Sequence, residues 1–313
     1  MNSFQYDYAV IGGDLRLSYL AGELAAKGCR VCHYALCHSL SQISAAERFM
    51  PAASLEAAVN SATCVVCPIP FSKDQVILNQ SGIKKNIYLK QMIPLLSAGQ
   101  HFFAGCIPDE FHKEASKKGV FVFDFMEDAS LAYFNTIATA EGVLCEAIRF
   151  SPVNLHKSRC AVLGYGKCGR TLTNSLKGMS CHVSVAADPP EELAMAALLA
   201  DEAMRINAAL SGIEAYDFIF NTIPAVTLTR DVLLRVKPSA VILDIASAPG
   251  GVDFAAANEL SVHAKSCPGL PGTYAPLSSA KAMLASIKNF ELPCSRNKEC
   301  LAASVAPMRQ TSE

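Results

Sequence analysis

Short apolar runs alternate with helical patterns, a long helical stretch ends at a proline, and the alternation then starts again. These three observations predict an α/β fold, because strands separated by helices are the sequence form of βαβ units and a parallel sheet. The fold expected is two Rossmann-like, doubly wound parallel-sheet domains joined by a long interdomain helix. The length agrees, since 313 residues at roughly 150 per domain make two.

The elements follow in order. In the first half, Tyr8–Ile11, Arg30–Ala35, Cys64–Val66, His101–Phe103 and Val120–Phe123 read as strands. Helices are expected near Leu15–Lys27, Asn86–Ser97 and Asp109–Lys118, and the polar stretch Phe71–Lys85 reads as a loop. Ala129–Phe150 is a helix whose apolar residues Leu131, Phe134, Ile137, Val143, Leu144, Ala147 and Ile148 suit burial on more than one side, and Pro152 stops it. The second half places strands at Cys160–Leu163, Cys181–Ala186, Phe218–Asn221, Val241–Asp244 and Ser261–Ala264. Its helices fit near Cys168–Leu176, Glu191–Asp201, Arg230–Val236 and Ser278–Phe290. The domain reading is therefore a substrate-side domain over 1–128, the interdomain helix over 129–152 and a nucleotide domain over 153–275. A helix over 276–292 is expected to pack back on the first domain. The polar tail 293–313 lacks periodicity and is expected to be disordered.

Composition narrows the function classes. With 27 basic and 28 acidic residues and a net charge of -1, no basic footprint for a nucleic acid is present. Mean hydropathy is +0.26, yet no apolar run reaches the roughly 18–20 residues of a membrane span. The opening Met1–Tyr8 lacks the basic-then-apolar pattern of a secretion signal, so a cytoplasmic protein is expected. Thirteen cysteines, odd in number and irregular in spacing, read as reduced thiols. Cys29/Cys32 and Cys64/Cys67 have zinc-like spacing, but in strands side chains three apart point to opposite faces, so no metal site is expected.

The strongest motif is Gly164-Tyr165-Gly166-Lys167-Cys168-Gly169, between an apolar strand and a helical stretch. In such a turn the first glycine permits the tight bend and the second lets the backbone approach a pyrophosphate. The third lets the helix pack against the strand. The pyrophosphate then lies on free amides at the positive end of a helix. Asp188 ends the next strand, about 20 residues on, where an acidic side chain bonds the ribose hydroxyls and repels a 2′-phosphate. NAD or NADP is the expected cofactor, with Asp188 favouring NAD. Thr222, Ile223 and Pro224 follow one later strand, and Ala246 and Ser247 another, where a parallel sheet presents its carboxyl ends to ligand. A shorter glycine element, Gly12-Gly13-Asp14-Leu15-Arg16, opens the first half. There Asp14 suits a helix cap and Arg16 suits an anion.

These segments resemble the dipicolinate synthase family of spore-forming bacteria, in its A-type chain. The resemblance rests on the Gly12-to-Arg16 opening, Asn135-Thr136-Ile137-Ala138-Thr139-Ala140-Glu141-Gly142 and the Gly164 turn. It continues through Asn221–Pro224, Leu243–Phe254 and Cys267-Pro268-Gly269-Leu270-Pro271-Gly272-Thr273-Tyr274-Ala275-Pro276. It implies oxidation of dihydrodipicolinate or hydroxytetrahydrodipicolinate to dipicolinic acid during sporulation, in the mother-cell cytoplasm. It also implies a second, flavoprotein-like dipicolinate synthase polypeptide (the B-type) as partner, and a homo-oligomer is expected. For the dicarboxylate substrate, Arg16, Asn135, Thr136 and Thr139 are candidates, with Ser247, Gly269 and Pro271 on the other side of the expected cleft. Asp14 or Glu141 would take the ring proton. Some relatives carry Arg at the position of Asp188, so the resemblance leaves NAD against NADP open. Two rival readings stand beside this one. A 2-hydroxyacid dehydrogenase would want a His base, and none of the seven His falls in these motifs. A non-catalytic nucleotide-binding protein would only organise its partner.

Overall fold

The computed structural model describes residues 4–37 and 48–290. The tail expected to be disordered, 293–313, lies outside the described residues. The chain forms two compact units, Met1–Ala132 with Pro276–Glu313, and Tyr133–Ala275. Both are α/β with wholly parallel sheets, the architecture expected.

The first unit carries β1 (Tyr6–Ile11), β2 (Val31–Tyr34), β3 (Phe49–Pro51), β4 (Ala62–Val66), β5 (His101–Ala104) and β6 (Phe121–Asp124), in the order β3-β2-β1-β4-β5-β6. Its central strand is buried on both faces, as a sheet covered by helices on each side requires. Tyr8 and Val10 enter one core with Leu17, Leu20, Met283 and Ile287. The alternate residues Ala9 and Ile11 enter the other with Val59, Phe71, Leu78 and Phe102. The helix Pro276–Asn289 thus contributes its Ala280, Met283, Leu284 and Ile287 to this unit's core.

The second unit repeats the plan with β7 (Arg159–Leu163), β8 (His182–Ala186), β9 (Glu202–Met204), β10 (Phe218–Asn221), β11 (Val241–Asp244) and β12 (His263–Ser266), ordered β12-β11-β10-β7-β8-β9. Cys160 and Val162 face one core, Ala161 and Leu163 the other. In each sheet the order reverses beside the first strand, between β1 and β4 and between β7 and β10. A ligand crevice forms at such a switch point, outside the carboxyl ends of the strands.

Several expectations are corrected in detail. The third strand of each unit, β3 and β9, has no counterpart in the sequence reading. Each has three residues and carries a proline or an acidic side chain on a sheet edge, so neither makes an apolar run. The last strand is displaced to His263–Ser266. The expected helix Asn86–Ser97 is only Leu89–Met92 followed by a 3-10 turn, Ile93–Leu95. Short helices at Leu55–Asn60, Ile206–Ser211, Phe254–Glu259 and Leu270–Tyr274 are too brief for a helical period to show. The helix Ala129–Phe150 is buried on more than one side, with Ala138 and Gly142 lying opposite Thr136 and Ala140, but one stripe of it is open. Leu131, Val143, Leu144 and Ala147 are buried, but Phe134, Ile137 and Ile148 are exposed at 40%, 48% and 55%.

Candidate functional site

The site is assembled at the carboxyl ends of β7, β8, β10 and β11. β7 runs into Gly164, whose φ of +91° only glycine adopts readily, and a side chain there would meet Thr222 Oγ1 at 2.4 Å. Thr222 is held in turn, since its Oγ1 donates to Leu163 O at 2.9 Å. Gly169, one turn into the helix Lys167–Gly178, lies so close to the incoming strand that a Cβ would stand 2.2 Å from Gly164 O. Gly166 differs from both. It is the N-cap, offers no side-chain cap, and a Cβ built on it meets nothing within 4 Å. Open space therefore stands before a helix N-terminus whose first amides have no intrahelical acceptor, which is the geometry an anion such as a pyrophosphate fits.

The other residues of the turn divide between packing and surface. Tyr165 is buried in the core, where burial raises its hydroxyl pKa, and its carbonyl accepts from Arg170 Nε at 2.9 Å. Lys167 is exposed, with its Nζ 5.3 Å from the ring centroid of Tyr133. Burial pushes up the Cys168 thiol pKa. Asp188 is exposed just beyond β8, with Oδ1 accepting from Ile206 N at 3.3 Å.

Beneath the later loops lies a buried polar pair. Asn221 ends β10 and Asp244 ends β11, at 0% and 2% exposure. Asn221 Nδ2 donates to Asp244 Oδ1 at 2.8 Å and to Ile223 O at 3.0 Å. Asp244 also accepts from Ala246 N at 3.1 Å and Gly251 N at 2.8 Å. The amide of Ala246 is thus spent inside the protein. Ile223 is half-buried, while Pro224 and Ser247 are exposed. The sequence reading singled out both loops but not the pair that ties them, because the partners lie on different strands.

On the helix Ala129–Phe150, the hydroxyls of the candidate substrate residues hydrogen-bond within the fold. Thr136 is buried, shares a 2.7 Å hydrogen bond with Thr171 Oγ1 and donates to Tyr133 O at 2.6 Å. Thr139 donates to Asn135 O at 2.8 Å. Asn135 is the exception, since its Oδ1 is buried and has no hydrogen-bond partner among the described residues. Glu141 is exposed. Gly269, with φ of +69°, caps the helix Leu270–Tyr274, and Pro271 lies in its first turn. Glu146 accepts from Lys265 Nζ and the Tyr274 hydroxyl, and these donors lower its pKa.

In the first unit, Asp14 caps the helix Leu15–Ala26 through Arg16 N at 3.0 Å and also pairs with the Arg16 guanidinium. Arg16 is 5% exposed and spends Nη2 on Ile69 O as well. This unit's glycine turn is covered. Gly13 N donates to Asn79 O at 2.9 Å, and a Cβ on Gly12 would strike Leu78 at 2.9 Å and Gln80 at 3.1 Å. The polar stretch after β4 thus closes over the Gly12–Gly13 turn, whereas a Cβ on Gly166 meets nothing within 4 Å. Two sheets of one topology differ at the place where a dinucleotide would enter. Among the described residues, no cluster of His, Cys, Asp and Glu could hold a metal ion, and no helix is long and apolar enough to cross a membrane.

The family model for the N-terminal domain of the A-type chain of dipicolinate synthase matches residues 7–126. The A-type dipicolinate synthase chain of Bacillus subtilis (strain 168) is 33% identical over 213 residues, 68% of each chain. The crystal structure of the corresponding dipicolinate synthase chain from Bacillus halodurans superposes with a TM-score of 0.80 at 24% identity, covering 92% of this chain and 98% of that one. A transhydrogenase from Sinorhizobium meliloti is more distant, with a TM-score of 0.61 at 15% identity over 87% of this chain and 88% of its own. The two structural likenesses speak for the fold.

Proposed function

The chain belongs to the A-type dipicolinate synthase family, and on that premise we propose that it oxidises dihydrodipicolinate, or hydroxytetrahydrodipicolinate with loss of water, to dipicolinic acid with NAD or NADP. The observation that carries the dinucleotide half of this reading is the open space before Gly166, set against the covered turn at Gly12 and Gly13.

In this reading the pyrophosphate lies on the amides following Gly166, and Asp188 bonds the adenosine ribose. Thr222, Ile223, Pro224 and Ala246 border the nicotinamide. When bound, the nicotinamide supplies the hydride acceptor. The chain's own residues bind, orient and exclude water, which suits an oxidation already drawn forward by aromatisation. Arg16 spends Nε and Nη2 internally, so the rest of its donor fork is proposed to take a substrate carboxylate. Asn135 is proposed as a further substrate contact, through the N–H groups of its carboxamide. Ser247, Gly269 and Pro271 are proposed as further substrate contacts, whereas the hydroxyls of Thr136 and Thr139 serve the fold. Of the two carboxylates, Asp14 is already paired with a guanidinium, which makes Glu141 the better acceptor for the ring proton. A flavoprotein-like B-type partner, a homo-oligomer and work in the mother-cell cytoplasm during sporulation belong to the same proposal.

Purified protein with NAD or NADP and enzymatically generated dihydrodipicolinate, with and without the B-type partner, tests it through dipicolinate absorbance. Product in the presence of nucleotide supports the reading, and product only with the partner supports a shared active site. No product under any condition sinks it. Nucleotide binding without product would favour a purely organising role.

A further inference from the structure

The ribose end of the proposed dinucleotide site carries a residue that the sequence pattern does not reveal. β8 and β9 are paired at Ala186 and Met204, and Ala187 N donates to Met204 O at 3.1 Å. The chain then leaves both strands side by side, at Asp188 and at Arg205. Arg205 Nη1 donates to Asp188 O at 3.1 Å, and Ile206 N donates to Asp188 Oδ1 at 3.3 Å. Both side chains are exposed. A carboxylate that repels a 2′-phosphate and a guanidinium that attracts one therefore stand at the same strand ends.

We propose that Arg205 is a second determinant of nucleotide specificity, which offsets Asp188 and lets the site accept a dinucleotide bearing a 2′-phosphate as well as one without it. The inference deepens the dinucleotide reading above and rests on it. The physical reason is the planar fork of the guanidinium, which matches a phosphate bidentately. One edge of that fork is held by the Asp188 carbonyl, so the group is kept at the ribose position instead of sweeping through solvent. Arg205 is invisible to motif reading because it follows β9, a three-residue edge strand with no apolar run.

The test titrates NADH and NADPH into the full chain by nucleotide fluorescence, with calorimetry as a second readout. Four proteins are compared: native, Arg205→Ala, Asp188→Asn and the double variant. In the native chain the two dissociation constants are expected within about tenfold of each other. Arg205→Ala is expected to weaken NADPH by about tenfold and to leave NADH within about twofold, the loss of one charge-assisted contact. Asp188→Asn is expected to strengthen NADPH, and the double variant is expected to bind it about tenfold more weakly than Asp188→Asn alone. Arg205→Lys, which keeps the charge without the fork, is expected to fall between native and Ala and guards against a folding defect. An Arg205→Ala protein with an unchanged NADPH-to-NADH ratio overturns the proposal. So does a double variant that retains the full gain of Asp188→Asn. A native chain that binds neither nucleotide overturns the dinucleotide reading itself, and this proposal with it.

Discussion

Asn221 and Asp244, the last residues of two neighbouring strands, are joined by a 2.8 Å hydrogen bond from Nδ2 to Oδ1 in a fully buried setting. Between them they engage Ile223 O, Ala246 N and Gly251 N. Two loops that border the candidate site therefore hang from one side-chain pair. Gly250 and Gly251 are glycines because the pair fills their space. A Cβ on Gly251 would stand 2.1 Å from Asn221 Nδ2, and one on Gly250 2.8 Å from Asp244 Oδ2.

Removing that carboxylate is expected to be costly. Asp244→Ala removes the acceptor of one Asn221 N–H, which keeps only its bond to Ile223 O, and of the Ala246 and Gly251 N–H groups, a loss of about 2–4 kcal/mol. Urea denaturation of both proteins measures it. A change below about 1 kcal/mol would show that water replaces the carboxylate.

The glycine turn separates folding from binding. Gly169→Ala places a methyl against Gly164 O and is expected to lower stability and abolish nucleotide binding together. Gly166→Ala has open space and an ordinary negative φ of -68°, so its melting temperature is expected to stay native. Its affinity for NADH or NADPH is expected to fall at least about tenfold, because the methyl enters the proposed pyrophosphate position. Native affinity in Gly166→Ala would place the dinucleotide elsewhere.

Glu146 and Tyr274 give the second unit a pH signature. The hydrogen bond to Glu146 pushes the Tyr274 hydroxyl up to about 12, against about 10 in an unfolded chain. Between these values the folded protein holds the proton that the unfolded chain releases, so this contribution to stability is present below pH 10 and is lost as pH rises. Glu146 is shifted the other way, by Lys265 first and Tyr274 second. Its contribution is present above the unfolded value of about 4.3 and is lost as pH falls through the lowered folded value. Denaturant midpoints from pH 9 to 12 are expected to fall more steeply for the native chain than for Tyr274→Phe. Parallel curves would exclude the contact.

Cys168 reports on the same site. Its burial raises the thiol pKa, so at neutral pH little thiolate is present and alkylation is expected to be slow. Dinucleotide lying across the turn is expected to slow it further. Peptide mass spectrometry after iodoacetamide treatment, with Cys106 as the exposed reference, reads both rates. Equal Cys168 modification with and without nucleotide would count against occupancy of the turn.

Much of the architecture is legible along the chain, for a definite reason. The central strands are buried on both faces, so they appear as unbroken apolar runs, and the glycine turn at Gly164–Gly169 is dictated locally by backbone conformation and close approach. β3 and β9 are not legible, since short edge strands need not be apolar. The exposure of Phe134, Ile137 and Ile148 is not legible either, because an apolar side chain on a helix does not say whether anything covers it.

By itself the sequence determined the alternation of strands and helices, the dinucleotide-type turn and the acidic residue after β8. Each of these is a matter of neighbours along the chain. Only the tertiary structure decided which glycine turn stands open, because Leu78, Gln80 and Asn79 reach Gly12 and Gly13 from a distant loop. It likewise decided that Thr136 meets Thr171, that Asn221 and Asp244 hold each other, and that Arg205 stands beside Asp188. Those are contacts between residues remote in sequence, set by strand order and register, and no local pattern encodes them.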